Sequence, residues 1–213
     1  MSSILYKAQE IYLNQFRNSN DPLTLEMEAY AKEYKVPILS WQSAQFLEIL
    51  VKITKPKRVL EIGTAIAYSS IRIAKNLKKK AVLHTIEKSK DNIDVARKNI
   101  GKAGLEDKIE ILEGDALFIM PELDKKYNFI FLDADKEDYM QLFNYSMELL
   151  KKNGVIFIDN LLWHGYAAVK KIPPNYRVSA QHIKEFNDVF INQKNLKATI
   201  IPVGDGIGIG VKE

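Results

Sequence analysis

The chain has 213 residues and a mass of 24.4 kDa, enough for one large domain with a full-sized core. It has no cysteine, which excludes disulfides, iron–sulfur clusters, cysteine-ligated zinc and thiolate nucleophiles. Its 31 Lys and Arg against 27 Asp and Glu give a net charge of +4, compatible with a nucleic-acid partner but too weak to establish one.

Leu5 to Arg17 reads as a helix whose apolar pattern is broken by Lys7 and Glu10. Neither a signal nor a transit sequence is expected there, no apolar run reaches the ~20 residues of a membrane span, and a cytoplasmic location follows as the expectation. Asp21 and Pro22 start a second helix that runs to about Tyr34, and Pro37 follows its end. Ser40 caps a third, with Ala44, Leu47, Leu50 and Val51 on one face, closing near Pro56. Residues 1–56 therefore form an N-terminal helical region of the same domain, and 57–213 its core.

After Pro56 short apolar runs alternate with amphipathic stretches. Strands are predicted at Arg58–Ile62, Ala81–Ile86, Lys108–Leu112, Asn128–Leu132 and Gly154–Ile158. Helices are predicted between them at Tyr68–Leu77, Asp91–Ala103 and Asp138–Leu150. Near-continuous apolar strands joined by helices imply a parallel sheet covered on both faces. A helix near Ala180–Ile191 precedes two strands, Ala198–Pro202 and Ile207–Val211, separated by Gly204-Asp205-Gly206. That turn makes a hairpin, so the last strand runs antiparallel. The fold class is α/β, a doubly wound, mostly parallel seven-stranded sheet with an antiparallel C-terminal hairpin.

Ligands in such sheets bind beyond the carboxyl ends of the strands. The first strand ends Glu61-Ile62-Gly63, and Gly63 permits a tight turn with close backbone approach. The G-x-G-x-x-G fingerprint is absent, which disfavours a dinucleotide and a dehydrogenase. The second strand ends at Glu87, suited to accept ribose hydroxyls, and the third at Glu113-Gly114-Asp115-Ala116. Glu61, Glu87 and Asp115 on successive tips describe a pocket for a ribose, an adenine amine and a positive charge. The fourth strand leads to Asp133-Ala134-Asp135-Lys136 and the fifth to Asp159-Asn160. Two carboxylates and an amide oxygen on neighbouring tips are hard ligands suited to Mg²⁺ or a similar cation. The plain alternative is that Asp159-Asn160 turns the chain while Asp135 and Asp138 cap a helix.

The run Val59-Leu60-Glu61-Ile62-Gly63-Thr64, with Glu87, Gly114-Asp115-Ala116, Asp133-Ala134-Asp135-Lys136 and Ile158-Asp159-Asn160, resembles the metal-dependent, catechol-type O-methyltransferases that use S-adenosylmethionine. The resemblance spans about residues 35–213. Within that family the chain is most similar to the bacterial tRNA 5-hydroxyuridine methyltransferases, through its length, its N-terminal helices and the segment Asp159 to Gly165. One departure is Ala67, where the family usually has glycine. The resemblance implies that Gly63, Ser70, Glu87, Asp115 and Ala116 hold the cofactor, together with Ser40, Glu61 and Asp133. It implies that Asp133, Asp159 and Asn160 bind the metal, that Lys136 removes the acceptor's hydroxyl proton, and that two copies pair through the N-terminal helices.

A metal that chelates two neighbouring oxygens acidifies the attacking one and fixes its direction. A catechol offers such a pair, and so does 5-hydroxyuridine. Lys170, Lys171 and Arg177 lie in the loop after Asn160, with Trp163, Tyr166 and Tyr176 available to stack on bases. The expected acceptor is therefore 5-hydroxyuridine in the tRNA anticodon region, with a small catechol-type phenol as the alternative. A non-catalytic nucleotide-binding module is the rival from another class, and Asp133, Lys136, Asp159 and Asn160 argue against it. Of the scattered histidines only His164, just past the metal loop, merits attention, and Pro173 to Tyr176 reads as a turn.

Overall fold

The computed structural model describes residues 5–17 and 21–213. The N-terminal region expected over 1–56 includes residues 1–4 and 18–20, which lie outside the described residues. Three helices open the chain: α1 (Lys7–Asn14), α2 (Pro22–Tyr34) and α3 (Trp41–Thr54). The first is shorter than the predicted 5–17 stretch and buries no side chain. Pro22 opens α2, but Asp21 does not cap it; its Oδ2 accepts from Thr24 Oγ1 at 2.5 Å and Lys75 Nζ at 2.7 Å. Ser40 does cap α3, its Oγ accepting from the Ser43 N–H at 3.1 Å.

The core follows as β1 (Arg58–Ile62), α4 (Tyr68–Lys75), β2 (Val82–Glu87), α5 (Lys90–Ala103), β3 (Ile109–Glu113) and a short α6 (Ala116–Ile119). Then come β4 (Tyr127–Leu132), α7 (Tyr139–Leu149), β5 (Leu150–Ile158), α8 (Arg177–Ile191), β6 (Leu196–Ile201) and β7 (Ile207–Lys212). The seven strands form one sheet in the order β3-β2-β1-β4-β5-β7-β6. Strands β1 to β5 are parallel, and β7 runs antiparallel to both of its neighbours, as predicted from the Gly-Asp-Gly turn. The sequence pattern missed α6. It also carried α7 one residue too far, because Leu150 already pairs with Tyr127 ahead of a register shift in β4 and β5.

Strand alternation splits the core into two layers. Val59, Phe129, Phe131 and Phe157 pack beneath α2 to α5, while Leu60, Ile62, Ile130, Leu132, Ile156 and Ile158 pack beneath α7 and α8. Apolar burial on both faces is what makes these strands near-continuous hydrophobic runs. The strand order reverses between β1 and β4, and at such a switch point the chain opens a crevice. No helix among the described residues is long and apolar enough to cross a membrane.

Candidate active site

Backbone bonds carry the ladder one step past the strands and level their tips. The Gly63 N–H donates to Ile86 O at 3.1 Å, Asp133 N–H to Ile62 O at 3.0 Å, and Asp159 N–H to Leu132 O at 3.2 Å. Gly63 has φ +101°, and a Cβ there would stand 2.0 Å from the Asp133 carbonyl oxygen, so only glycine fits between the two tips. A cavity of about 550 Å³ opens above, within the range of small-molecule sites. Gly63, Glu87, Asp115, Ala116, Asp133, Lys136, Asp159 and Asn160 all line it.

Its β1–β3 half is closely tied. Glu87 accepts from the Ala65 N–H at 2.8 Å with one oxygen and from Ser89 N–H at 2.9 Å with the other. Asp115 uses Oδ1 to cap α6 through Leu117 N–H at 2.9 Å. Glu61, Ser70 and Ser40, predicted for the cofactor, do not line the cavity. Alternation turns Glu61 into the layer under α4, where its fully buried carboxylate accepts from Ser69 Oγ at 2.5 Å, Thr85 Oγ1 at 2.7 Å and the Ser70 hydroxyl. Burial pushes this carboxyl up to about 7 against the pull of the three hydroxyls, and the Asp133 charge adds to the rise. Glu61 is thus a brace between β1, β2 and α4 rather than a third acid on the cavity edge. Ser40 is spent on its cap and on Ser43 Oγ at 2.8 Å. Ala67 heads α4 with φ +66°, the left-handed conformation that glycine takes without strain.

The β4–β5 half is different. Asp159 is buried, and its Oδ1 has no hydrogen-bond partner. Burial, reinforced by the charge of Asp133 and opposed by Lys136, pushes its carboxyl up to about 8. The Lys136 side chain is only 8% exposed. Its Nζ lies 3.4 Å from Asp133 Oδ1 and donates to Ala134 O at 2.9 Å and Tyr139 Oη at 2.7 Å. Tyr139 in turn donates to the Asp159 carbonyl at 3.0 Å, and burial raises its hydroxyl well above the usual range. A buried carboxylate oxygen with no partner is costly unless a cation meets it. Asp133, Asp159 and Asn160 offer only hard oxygens to such a cation, so the residues present fit Mg²⁺ or a similar ion. Among the described residues no group of three or more His, Asp or Glu gathers for a metal, and this set relies on one amide.

The outer wall is aromatic. Trp163 and His164 line the cavity, and Trp163 Nε1 donates to Ser179 Oγ at 2.8 Å. The Tyr176 ring lies 5.6 Å from His164 and 5.0 Å from Tyr166. His84 sits inside the sheet against Tyr127 at 2.8 Å, away from the cavity, and Pro174–Tyr176 is a single 3₁₀ turn. Two residues that support the site from behind its lining escaped the sequence reading. Tyr139 was legible only as part of an apolar helix face, and Asp205, which bonds His164 N–H at 2.6 Å, only as part of a turn.

A doubly wound sheet of this order, with acids in place of a phosphate loop at its switch point, defines the class I methyltransferase architecture. Comparison with known proteins narrows this. The sequence profile described as O-methyltransferase matches residues 19–213. Caffeoyl-CoA O-methyltransferase of Medicago sativa is 31% identical over 188 residues, 83% of this chain and 75% of its own. Caffeoyl-CoA O-methyltransferase 2 of Petunia hybrida is 32% identical over 200 residues, 88% of this chain and 81% of its own. Among solved structures, an O-methyltransferase of Bacillus cereus in complex with SAH superposes with a TM-score of 0.84 at 27% identity, covering 97% of each chain. A Staphylococcus aureus structure assigned provisionally to the caffeoyl-CoA O-methyltransferases gives 0.87 at 30% identity, covering 97% of this chain and 99% of its own. The chain belongs to the O-methyltransferase family and is an S-adenosylmethionine-dependent O-methyltransferase.

Proposed function

We propose that the protein methylates one of two adjacent oxygens on a catechol-type acceptor held at a divalent cation. The partnerless, buried Oδ1 of Asp159 beside Asp133 and Lys136 carries this reading. Asp133, Asp159 and Asn160 would hold the cation, which when bound chelates neighbouring oxygens and makes the attacking hydroxyl more acidic. Glu87, Asp115 and Gly63 would hold S-adenosylmethionine, whose sulfonium supplies the methyl group. As the neutral amine, Lys136 Nζ, held by Ala134 O and Tyr139 Oη, takes the hydroxyl proton. The Trp163 ring, on the cavity wall, stacks on the acceptor and keeps water from it. The caffeoyl-CoA relatives support this acceptor class over tRNA. Pairing of two copies belongs to the same reading and is supported by the exposed Ile11 on α1, Phe16 just after it, and Ile49 and Ile53 on α3.

A specific observation favours a second acceptor, 5-hydroxyuridine in tRNA. Lys170, Lys171 and Arg177 are all exposed beside the aromatic wall, where a phosphate backbone would run. The test is methyl transfer with Mg²⁺ to a simple catechol, to a catechol coenzyme A thioester and to a hydroxylated anticodon stem-loop. Turnover of the catechols with none of the stem-loop is the expected result. The reverse pattern gives the site to tRNA, and full activity in excess EDTA overturns the metal-held acceptor.

A further inference from the structure

The geometry points to Asp205, in the turn between β6 and β7, as a positioning residue that sets which way the Asn160 amide faces. This rests on the reading of Asp133, Asp159 and Asn160 as a cation site. The hairpin turn grips the loop after β5 along its length: Leu161 N–H donates to Gly206 O at 2.9 Å and Leu162 N–H to Asp205 O at 2.9 Å. Gly206 has φ +86°, and a Cβ there would stand 2.5 Å from Leu162 Cγ, so hairpin and loop are in direct contact. From the other side Asn187 Nδ2 donates to Leu161 O at 2.8 Å. Into this clamp Asp205 directs a side chain that is 13% exposed.

Its two oxygens do two things. Oδ1 accepts from the His164 N–H at 2.6 Å, holding a left-handed stretch in which Trp163, His164 and Gly165 have φ of +45°, +57° and +81°. Oδ2 faces Asn160 Nδ2 at 3.5 Å. Asn160 Nδ2 is the donor in this contact and the Asp205 carboxylate oxygen the acceptor, so the amide turns its nitrogen toward Asp205. The oxygen and nitrogen of an amide lie in its plane on opposite sides of the Cβ–Cγ axis, so with nitrogen toward Asp205 the Oδ1 is aimed the other way, toward the cavity that Asp133, Asp159 and Asn160 line. Free of that constraint, the amide would present nitrogen as readily as oxygen, and nitrogen cannot ligate a hard cation. A partner behind a ligand that fixes its orientation typically contributes 10- to 100-fold in metal affinity.

The test is Mn²⁺ binding to the cofactor-free protein, followed by electron paramagnetic resonance and by Trp163 fluorescence. Asp205→Asn keeps the shape and the acceptor for His164 N–H, but meets Asn160 with a second amide donor and favours the flipped amide. It is expected to weaken Mn²⁺ binding by ~30-fold or more. Asp205→Ala removes both contacts and leaves Asn160 free rather than reversed, so its loss is smaller, about 5- to 10-fold. The double change Asp205→Asn with Asn160→Asp restores a donor–acceptor pair and an oxygen ligand, and is expected to recover binding to within about 3-fold of the parent. A merely structural or charge effect would make Asp205→Ala the worst of the three and leave the double variant unrescued; either pattern overturns the proposal, as does parental affinity in Asp205→Asn. Should one single variant fail to fold, parental affinity in the other overturns the proposal by itself. If the parent protein binds no Mn²⁺ at all, the cation reading falls first and this inference with it.

Discussion

The two halves of the cavity are built on opposite terms. Over β1 to β3 the acids already have partners: Glu87 takes two backbone N–H groups and Asp115 one, and Glu61, braced beneath the cavity, takes three hydroxyls. Over β4 and β5 a buried carboxylate oxygen has none, and the amine of Lys136 is held chiefly by Tyr139 and Ala134. The first half is finished by folding, as suits a site that must hold the methyl donor in one pose. The second half is left electrostatically incomplete. Incompleteness of that kind persists only where a ligand or function compensates for it.

Removing Asp159 strikes the incomplete half hardest. Asp159→Ala is expected to lower turnover by ~10³-fold or more, several kcal/mol of lost charge stabilisation, while S-adenosylmethionine affinity by calorimetry stays within about two-fold. Equal losses in both measurements would mean that the halves are not separable. Next, Lys136→Met removes the proton acceptor and should reduce kcat by ~10²- to 10³-fold with KM little changed. A rise in KM with kcat preserved would reassign Lys136 to binding.

In the completed half the sensitive variable is pH. The Glu61 carboxyl is raised from 4.5 to about 7 in the folded chain, so the folded state keeps a proton that the unfolded state releases. Its contribution is fully present below pH 4.5 and is lost as pH rises through about 7, a decline on the order of 3 kcal/mol. Glu61→Gln should flatten that part of the denaturation profile, and an unchanged slope would show that Glu61 does not carry it. The smallest expected effect is that of Glu87→Ala, which should weaken S-adenosylmethionine binding by ~1–3 kcal/mol without changing kcat at saturation. Unchanged affinity would remove Glu87 from the cofactor site.

Much of this organisation is written locally in the chain. Near-continuous apolar runs at Arg58–Ile62 and Asn128–Leu132, separated by helical stretches, already imply a parallel sheet, and Gly204-Asp205-Gly206 implies the antiparallel end. Because ligands gather at strand ends, the same reading named Gly63, Glu87, Asp115, Asp133, Asp159 and Asn160 in advance. What it could not separate was Glu61 from Glu87. Both are acids near strand ends, and only the register of β1 against Thr85 and the packing of α4 decide that one is buried as a brace while the other faces the cavity. Lys136 is a similar case. Sequence supplies a lysine three residues after an aspartate, but its confinement depends on Tyr139 bonding back to the end of β5. Asp205 was the least legible of all, because it lies 45 residues from Asn160 along the chain and meets it only when β7 pairs with β5. Local patterning determines which strands and helices form, since it needs only neighbouring residues. Which polar side chains face each other is decided by long-range pairing, and the sequence alone carries no short-range signal for that.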